Sequence, residues 1–258
     1  MFKPPAASFG AAAPRNWFDQ GGKAYARFRP EYPPELAQFL ASAAPGTALA
    51  VDAGCGNGQL TVQLAAHFHR VQGADPSADQ IAHAVAHPRV AYACAPAEAL
   101  PVADHEAQLI TAAQAAHWFD LPRFYAEVRR IGAPRAVLAL ISYGVPQLDP
   151  ALNPRFSRFY CDEIGPFWPA ERALVDTGYA DLPFPFEEQS VPALGICKTW
   201  NLEALLGYLS TWSAVRSVRE AAREDILQGF AADLTALWGD PAQSREIRWP
   251  INMRVGTL

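Results

Sequence analysis

Three closely spaced glycines place the strongest constraint on how this chain of 258 residues can fold. They are Gly54, Gly56 and Gly58, and they follow an apolar run that ends in Val51-Asp52-Ala53. Glycine reaches positive φ at little cost and carries no Cβ, so such a loop turns tightly and lets a ligand approach its backbone. An amphipathic stretch comes next, whose N-terminal end would carry a partial positive charge beside the loop. The pattern predicts a strand, a ligand-binding loop and a helix in succession.

Apolar runs alternate with amphipathic stretches over residues 34–144, as expected for βαβ units around a mostly parallel sheet. We predict five strands in this part, at residues 47–53, 70–74, 89–94, 107–113 and 136–143. Three helices are predicted between them, at residues 59–69, 78–86 and 121–130. The later part is rich in proline and aromatic residues, and there we predict helices at 202–208 and 221–237 and strands at 186–191 and 246–255. The fold class is therefore α/β, with an inserted aromatic lobe.

Composition and charge argue against several classes of protein. Acidic residues number 26 and basic residues 21, for a net charge of −5, so the field of the protein repels polyanions and nucleic acid is not an expected partner. No apolar run reaches the ~18 residues of a membrane span, and residues 1–13 lack the apolar segment of a secretion signal. We expect a cytoplasmic protein without membrane partners. We also expect no metal, because the cysteines lack CxxC spacing and no histidine pair has an acidic partner.

The glycine loop matches neither of the common nucleotide-binding patterns. Gln59 stands where the dinucleotide fingerprint needs its third glycine, and the lysine of a phosphate-binding P-loop is missing. Asp52 precedes the glycines, and Asp75 comes at the end of the second predicted strand. A carboxylate at that place can accept two hydrogen bonds from vicinal ribose hydroxyls. The pattern favours a nucleoside ligand without pyrophosphate; the alternative is that both acids cap helices and the glycines only form a turn.

The segment that contains Asp52, the three glycines and Asp75 resembles the class I S-adenosylmethionine-dependent methyltransferases. Residues 97–101 (Ala-Glu-Ala-Leu-Pro) are similar to the family segment beside adenine, and residues 114–120 (Gln-Ala-Ala-His-Trp-Phe-Asp) resemble a hallmark of the type 11 branch, which includes trans-aconitate methyltransferase-like enzymes. Residues 25–33 are similar to the segment that precedes the fold in that branch. The resemblance implies a Rossmann-like, mostly parallel seven-stranded sheet with an antiparallel last strand. It divides the chain into an N-terminal segment and cofactor cap (1–33), a cofactor-binding core (34–144) and a substrate lobe with the final strands (145–258).

The resemblance also implies a set of residues that bind S-adenosylmethionine. The three glycines would flank its methionine part, Asp75 would bind ribose, Gln80 would border the adenosine, and Asp52 would act through the loop or a water. Tyr25 and Arg29 would close over the methionine carboxylate, for which the planar fork of arginine is suited. The complete predicted cofactor set is Tyr25, Arg29, Asp52, Gly54, Gly56, Gly58, Asp75, Gln80, Ala97, Glu98 and Gln114. Pro96 stands where the family often has an acid that binds adenine, so backbone groups or Glu98 must serve adenine here.

Methyl transfer from a sulfonium requires mainly proximity and orientation, and needs neither a metal nor a covalent nucleophile. His117 is the candidate catalytic residue, because an imidazole can act as a general base near neutral pH. Alternatively, His117 and its neighbour only shape the pocket floor. A carboxylate acceptor is already anionic, and His117 would then position it. The predicted substrate pocket comprises Trp118, Tyr143, Arg155, Arg158 and Trp200, although aromatic side chains are often core and an arginine pair is often a solvated face.

We therefore expect methylation of a small molecule, with oxygen and particularly carboxylate as the favoured acceptor, by a monomer or homodimer. The alternatives are methylation of nitrogen or carbon on another metabolite, or a non-catalytic domain that binds S-adenosylmethionine or S-adenosylhomocysteine as a sensor. A nicotinamide oxidoreductase is disfavoured by Gln59.

Overall fold

Eight strands form one mixed sheet in the computed structural model, which describes residues 30–258. The order across the sheet is β3-β2-β1-β4-β5-β8-β6, and β7 also pairs with β8. The strands are β1 Leu49–Ala53, β2 Arg70–Asp75, β3 Val90–Cys94, β4 Ala107–Ala113, β5 Gly132–Tyr143, β6 Glu187–Glu188, β7 Leu194–Trp200 and β8 Arg245–Thr257. The first five are parallel to one another, and β8 runs antiparallel to β5. The predicted Rossmann-like α/β fold with an antiparallel last strand is confirmed.

The predicted number of seven strands is wrong for the part of the chain that the structure describes. The additional strand is β7, which pairs with residues 245–251 of β8. Of its seven residues only Ile196 is buried, so β7 lacks the apolar signal of the central strands. The strand predicted at 186–191 has only the two residues of β6. These two residues pair with Gly256 and Thr257 of β8, so the predicted position beside the last strand is correct.

Nine α-helices accompany the sheet within residues 30–258. They are α1 Pro34–Ala43, α2 Gln59–Leu64, α3 Ala78–Ala82, α4 Leu121–Ile131, α5 Asn153–Arg158, α6 Arg172–Asp176, α7 Leu202–Leu209, α8 Ser213–Glu220 and α9 Glu224–Trp238. A π-helical turn, Phe159–Glu163, continues α5, and short 3-10 turns lie at Ala116–Trp118 and Gly165–Phe167. None of these helices is long and apolar enough to cross a membrane.

Two helices of the core are shorter than predicted, because the chain that follows them bonds to other elements. The predicted helix 59–69 ends at Leu64, and the His69 amide donates to the Thr47 carbonyl at the start of the sheet. The predicted helix 78–86 ends at Ala82, and the Val85 amide donates to the Asn57 carbonyl of the glycine loop at 3.0 Å. The predicted helix 221–237 begins at Glu224, after the separate helix α8.

The sheet is covered on both faces, and the aromatic lobe stands at one end of it. Every residue of β1 is buried, as expected for a central strand of a doubly covered sheet. In the lobe, the rings of Phe159 and Phe230 stack with centroids 3.8 Å apart and join α9 to the turn after α5. Beyond the carboxyl end of β5, where Tyr143 pairs with Ile251, the first half of β8 pairs antiparallel with β7. The lobe and β7 therefore lie beside the edge at which parallel strands present ligand sites.

Candidate active site

The glycine loop connects β1 to α2 through three residues of positive φ: Gly54 at 68°, Gly56 at 54° and Gly58 at 88°. The amide of Gly54 donates to the Ala74 carbonyl at 2.8 Å, which ties the loop to the end of β2. A Cβ on Gly54 would lie 2.5 Å from the Cβ of Ala115, and one on Gly58 would lie 2.0 Å from the Tyr92 hydroxyl. Both positions therefore require glycine for packing within the protein as well as for conformation.

Gly56 differs from its two neighbours, because the space beside it is not filled by protein. The nearest atom to a Cβ built there is Oε1 of Gln80, at 3.8 Å. The Gln80 side chain is buried, and among the described residues its Oε1 has no hydrogen-bond partner. Burial of an acceptor without a hydrogen bond is unfavourable, so a ligand that donates a hydrogen bond to this oxygen would be stabilised here. The open space and this oxygen fit the hydroxyl-bearing part of a nucleoside.

Asp75 ends β2 at the edge of the same space. Its Oδ2 accepts from the Gly56 amide at 2.9 Å, and its Oδ1 accepts from the Ser77 amide at 2.9 Å. Burial raises the pKa of this carboxyl, and the two amide bonds counteract the rise. Each carboxylate oxygen keeps a further lone pair, so the carboxylate can still accept two hydroxyl donors. Asp75, Gly56 and Gln80 therefore converge as the predicted ribose contact requires.

Asp52 serves a different purpose from the one expected of a ligand contact. Its side chain is buried and accepts from the hydroxyls of Thr61 at 2.6 Å and Thr111 at 2.8 Å. Burial raises its pKa from 3.8 to about 6, although both hydroxyl bonds lower it. Asp52 thus links β1 to α2 and β4 behind the loop, and its indirect role toward the cofactor stays a prediction.

Three further predicted cofactor residues lie in the loops after β3 and β4. Ala97 is buried, and Oε1 of Glu98 accepts from the Asp120 amide at 2.8 Å, which joins the loop after β3 to the start of α4. Gln114 has a φ of 54°, and its Nε2 donates to the Tyr143 carbonyl at 3.0 Å. Glu98 and Gln114 therefore position the loops at the sheet edge. The predicted contacts Tyr25 and Arg29 lie outside the described residues.

His117 lies in the 3-10 turn after β4, between two residues that pack on the glycine loop. Ala115 and Phe119 both come within 3.1 Å of the Cβ position of Gly54. The Nδ1 atom of His117 is 2.8 Å from the hydroxyl of Tyr179, a buried residue of the lobe with a φ of 65°. Tyr179 follows α6, and its amide donates to the carbonyl of Leu174 within that helix at 2.8 Å. Sequence reasoning missed Tyr179, because the contact spans 62 residues and no motif marks it.

The predicted substrate-pocket residues do not all lie together. Trp118 follows His117, with ring centroids 4.8 Å apart, and Tyr143 ends β5 at the same sheet edge. The ring of Trp200 in β7 packs against Trp249 with centroids 5.2 Å apart. Trp200 is half-buried and packs against the lobe core, so its place in the pocket stays a prediction.

The two predicted pocket arginines are already engaged in ion pairs. Arg155 donates through Nε to Asp233 at 2.8 Å and through Nη2 to Glu163 at 3.1 Å. Arg158 pairs with Glu163 at 3.2 Å and its side chain is 70% exposed. Because both charges are held by carboxylates of the lobe, these contacts count against a place for either arginine in the pocket. In the part of the chain described, no group of three or more His, Cys, Asp or Glu side chains is placed to hold a metal.

Comparisons with known proteins agree with this geometry. A family model for the methyltransferase domain, type 11, matches residues 51–140, which run from β1 to β5. A Dictyostelium discoideum protein with a provisional methyltransferase assignment is 34% identical over 214 residues, which cover 81% of each chain. The solved structure of a provisionally assigned type II methyltransferase from Anaeromyxobacter dehalogenans is 44% identical, with a TM-score of 0.84 over 89% of this chain and 98% of that one.

A second solved structure shares the fold at low identity. It is a provisionally assigned methyltransferase of an antibiotic biosynthesis pathway in Anabaena variabilis, 17% identical, with a TM-score of 0.55 over 87% of this chain and 98% of that one. The extent of the Dictyostelium match, the family model over the core and the glycine loop lead to one conclusion. This chain belongs to the class I S-adenosylmethionine-dependent methyltransferases, in the type 11 branch.

Proposed function

We propose that the chain methylates an oxygen of a small organic acid, with a carboxylate as the acceptor group. The observation that supports this is the hydrogen bond of 2.8 Å between Nδ1 of His117 and the Tyr179 hydroxyl. Burial raises the pKa of Tyr179, while the backbone amide of His117, the charge of Arg172 and the amide of Ala116 lower it. The phenol therefore keeps its proton at neutral pH and can donate it in a hydrogen bond.

The proposal also assigns the proton of His117 to one of its two ring nitrogens. In it, the phenol of Tyr179 donates its hydrogen to Nδ1 of His117. A neutral imidazole that accepts at Nδ1 is protonated at Nε2, so Nε2 is a hydrogen-bond donor. A donor suits an anionic acceptor and cannot remove a proton from a neutral one. We therefore assign His117 a positioning role toward a carboxylate.

Cofactor binding in this proposal uses the converging groups of the glycine loop. Asp75 and Oε1 of Gln80 accept the ribose hydroxyls, and Gly56 leaves room for the ligand beside its backbone. S-adenosylmethionine, when bound there, would supply an activated methyl group for a new C–O bond, with its sulfur as the leaving group. The protein contributes proximity and alignment, which in favourable cases are worth about 7–11 kcal/mol.

The same proposal divides the chain at residues 33 and 144 and gives Tyr25 and Arg29 the role of a cofactor cap. It also includes a cytoplasmic location and a monomeric or homodimeric state.

The test is a screen for S-adenosylhomocysteine formation with carboxylic acids, their primary amides, phenols and amines as acceptors. The proposal expects turnover with one or more acids and a base-labile methyl ester as product. Turnover only with amines, phenols or carbon acids would contradict the carboxylate assignment. Tight cofactor binding without turnover of any acceptor class would instead favour the non-catalytic alternative.

A further inference from the structure

Arg172 is a largely buried arginine of the lobe whose donors are only partly used by the protein. Arg172 begins α6 and donates through Nε to the Asp176 carboxylate at 3.0 Å and to the Tyr160 hydroxyl at 2.9 Å. Tyr160 in turn donates to the same Asp176 oxygen at 2.7 Å. Within residues 30–258, no protein acceptor lies within hydrogen-bond distance of Nη1 or Nη2 of Arg172. One edge of the guanidinium is fixed, and the Nη1/Nη2 edge is left without a protein acceptor.

The surroundings of Arg172 hold this group rigid and partly shielded from water. Its side chain is 19% exposed. The guanidinium carbon lies 4.8 Å from the ring centre of Trp168 and 5.7 Å from that of Tyr160. Aromatic faces stabilise a cation and limit its rotation. A charge in such a place interacts more strongly with a ligand than a solvated surface charge does.

A second donor lies beside the guanidinium. Nε1 of Trp168 is buried, and no acceptor for it is found in the part of the chain that the structure describes. An indole N–H can only donate, and burial without an acceptor is unfavourable. The indole that stacks on Arg172 thus also needs an acceptor oxygen.

This cluster is adjacent to the proposed acceptor site. Helix α6 packs against the 3-10 turn that carries His117. The positive charge of Arg172 also acts on Tyr179, whose hydroxyl contacts His117. Arg172 therefore lies near the His117–Tyr179 pair, on its lobe side.

We propose that Arg172 is the anchor for the acceptor: its Nη1/Nη2 edge binds a carboxylate of a small organic acid, and Trp168 Nε1 donates a further hydrogen bond. The planar fork matches the two oxygens of a carboxylate, and the ligand would occupy the edge opposite to Asp176. This inference rests on the proposed carboxylate methylation and names the residue that selects for it.

The experiment compares acids with their neutral amides in protein saturated with S-adenosylhomocysteine. Dissociation constants are measured for phenylacetate, cinnamate and glutarate and for the corresponding amides. For the acid that binds best, Arg172→Gln should weaken binding about 30-fold, the loss expected for charged hydrogen bonds, and leave the amide within about threefold. A purely structural role would weaken acid and amide alike. Arg158→Gln, which removes an exposed paired arginine, should change neither.

Two more variants keep the test open if Arg172→Gln does not fold. Arg172→Lys keeps the charge without the fork, and should weaken acid binding about tenfold. Trp168→Phe keeps the ring and the Arg172–Asp176 ion pair, and should weaken acid binding at least threefold. Wild-type protein that binds amides as tightly as acids, or an Arg172→Gln variant that binds the acid as the wild type does, would overturn the anchor. If that variant also methylates acids normally, the anchor fails and the proposed function stands; if only uncharged acceptors are methylated, both fail.

Discussion

The backbone amide of Gly56 donates to Oδ2 of Asp75 at 2.9 Å, so the residue proposed to bind ribose also holds the glycine loop in place. One carboxylate thereby fixes the loop after β1 to the end of β2, and it keeps lone pairs for a ligand. We therefore expect a change at Asp75 to alter both the geometry of the glycine loop and the affinity for the cofactor.

Asp75→Ala should weaken S-adenosylhomocysteine binding by about 1.5–3 kcal/mol, the cost of losing hydrogen bonds to a charged group. Isothermal titration calorimetry measures the change. Asp79→Ala is the matched control, because Asp79 lies nearby in α3 and makes only a partly exposed contact with His83. Equal affinity of the Asp75 variant and the wild type would refute the ribose assignment.

Gly56→Ala should lose cofactor binding while the protein remains folded. No protein atom lies closer than 3.8 Å to the new methyl group, so the substitution intrudes mainly on the ligand space. The strain of alanine at positive φ costs about 1–2 kcal/mol. Gly239→Ala gives the effect of alanine at a positive-φ glycine outside the site, because Gly239 has a φ of 80° and a ψ of −108° and nothing lies within 4 Å of its Cβ position. Calorimetry and urea unfolding of both variants separate the two effects. If both bind S-adenosylhomocysteine equally, the space beside Gly56 is not the ligand site.

Asp52 should make the protein less stable as the pH rises. Its pKa is raised from 3.8 to about 6 by burial, so the folded state holds this proton more tightly than the unfolded state does. The stabilisation from the bound proton is present below pH 4 and is lost as the pH rises through about 6, a change of about 3 kcal/mol. Asp52→Asn removes this titration.

Urea unfolding of the wild type and Asp52→Asn at pH 4 and pH 7 measures this effect. The wild type should lose about 2.4 kcal/mol relative to the variant between these pH values, because the unfolded carboxyl is already partly ionised at pH 4. A difference in unfolding free energy that stays constant with pH would show that folding does not raise the pKa of Asp52.

Tyr179→Phe should reduce turnover and leave cofactor affinity unchanged, because it removes the hydroxyl that orients His117. The expected loss of stability is about 1 kcal/mol for one hydrogen bond. Tyr125→Phe is the control, since Tyr125 is also largely buried and its hydroxyl donates to the Pro183 carbonyl at 2.6 Å. Steady-state kinetics with the best acceptor give the answer. Full activity of both Tyr179→Phe and His117→Ala would remove the pair from the acceptor site.

The central part of the fold was predictable because local sequence and tertiary structure agree there. The strands β1, β4 and β5 are largely buried, and a strand buried on both faces needs an apolar run, which the sequence shows at all three places. The glycine loop was predictable for the same reason, because positive φ and close packing at Gly54 and Gly58 both require glycine.

The lobe was less predictable because its contacts are long-range. Strand β7 exists through pairing with β8, and most of its side chains are not buried. Arg155 and Arg172 cannot be distinguished by residue type. What separates them is that Asp233 and Glu163 hold Arg155 at both Nε and Nη2, whereas Asp176 and Tyr160 hold only the Nε edge of Arg172.

Thermal unfolding with S-adenosylhomocysteine, with NADH as the control ligand, tests most directly whether the glycine loop is the cofactor site. At ~100 times the dissociation constant, one site adds about 2.7 kcal/mol, which raises the Tm of a chain of this size by roughly 5–11 °C. The account predicts this rise for the wild type with S-adenosylhomocysteine alone, and no rise for Gly56→Ala. A rise with NADH, or an equal rise in Gly56→Ala, would contradict it.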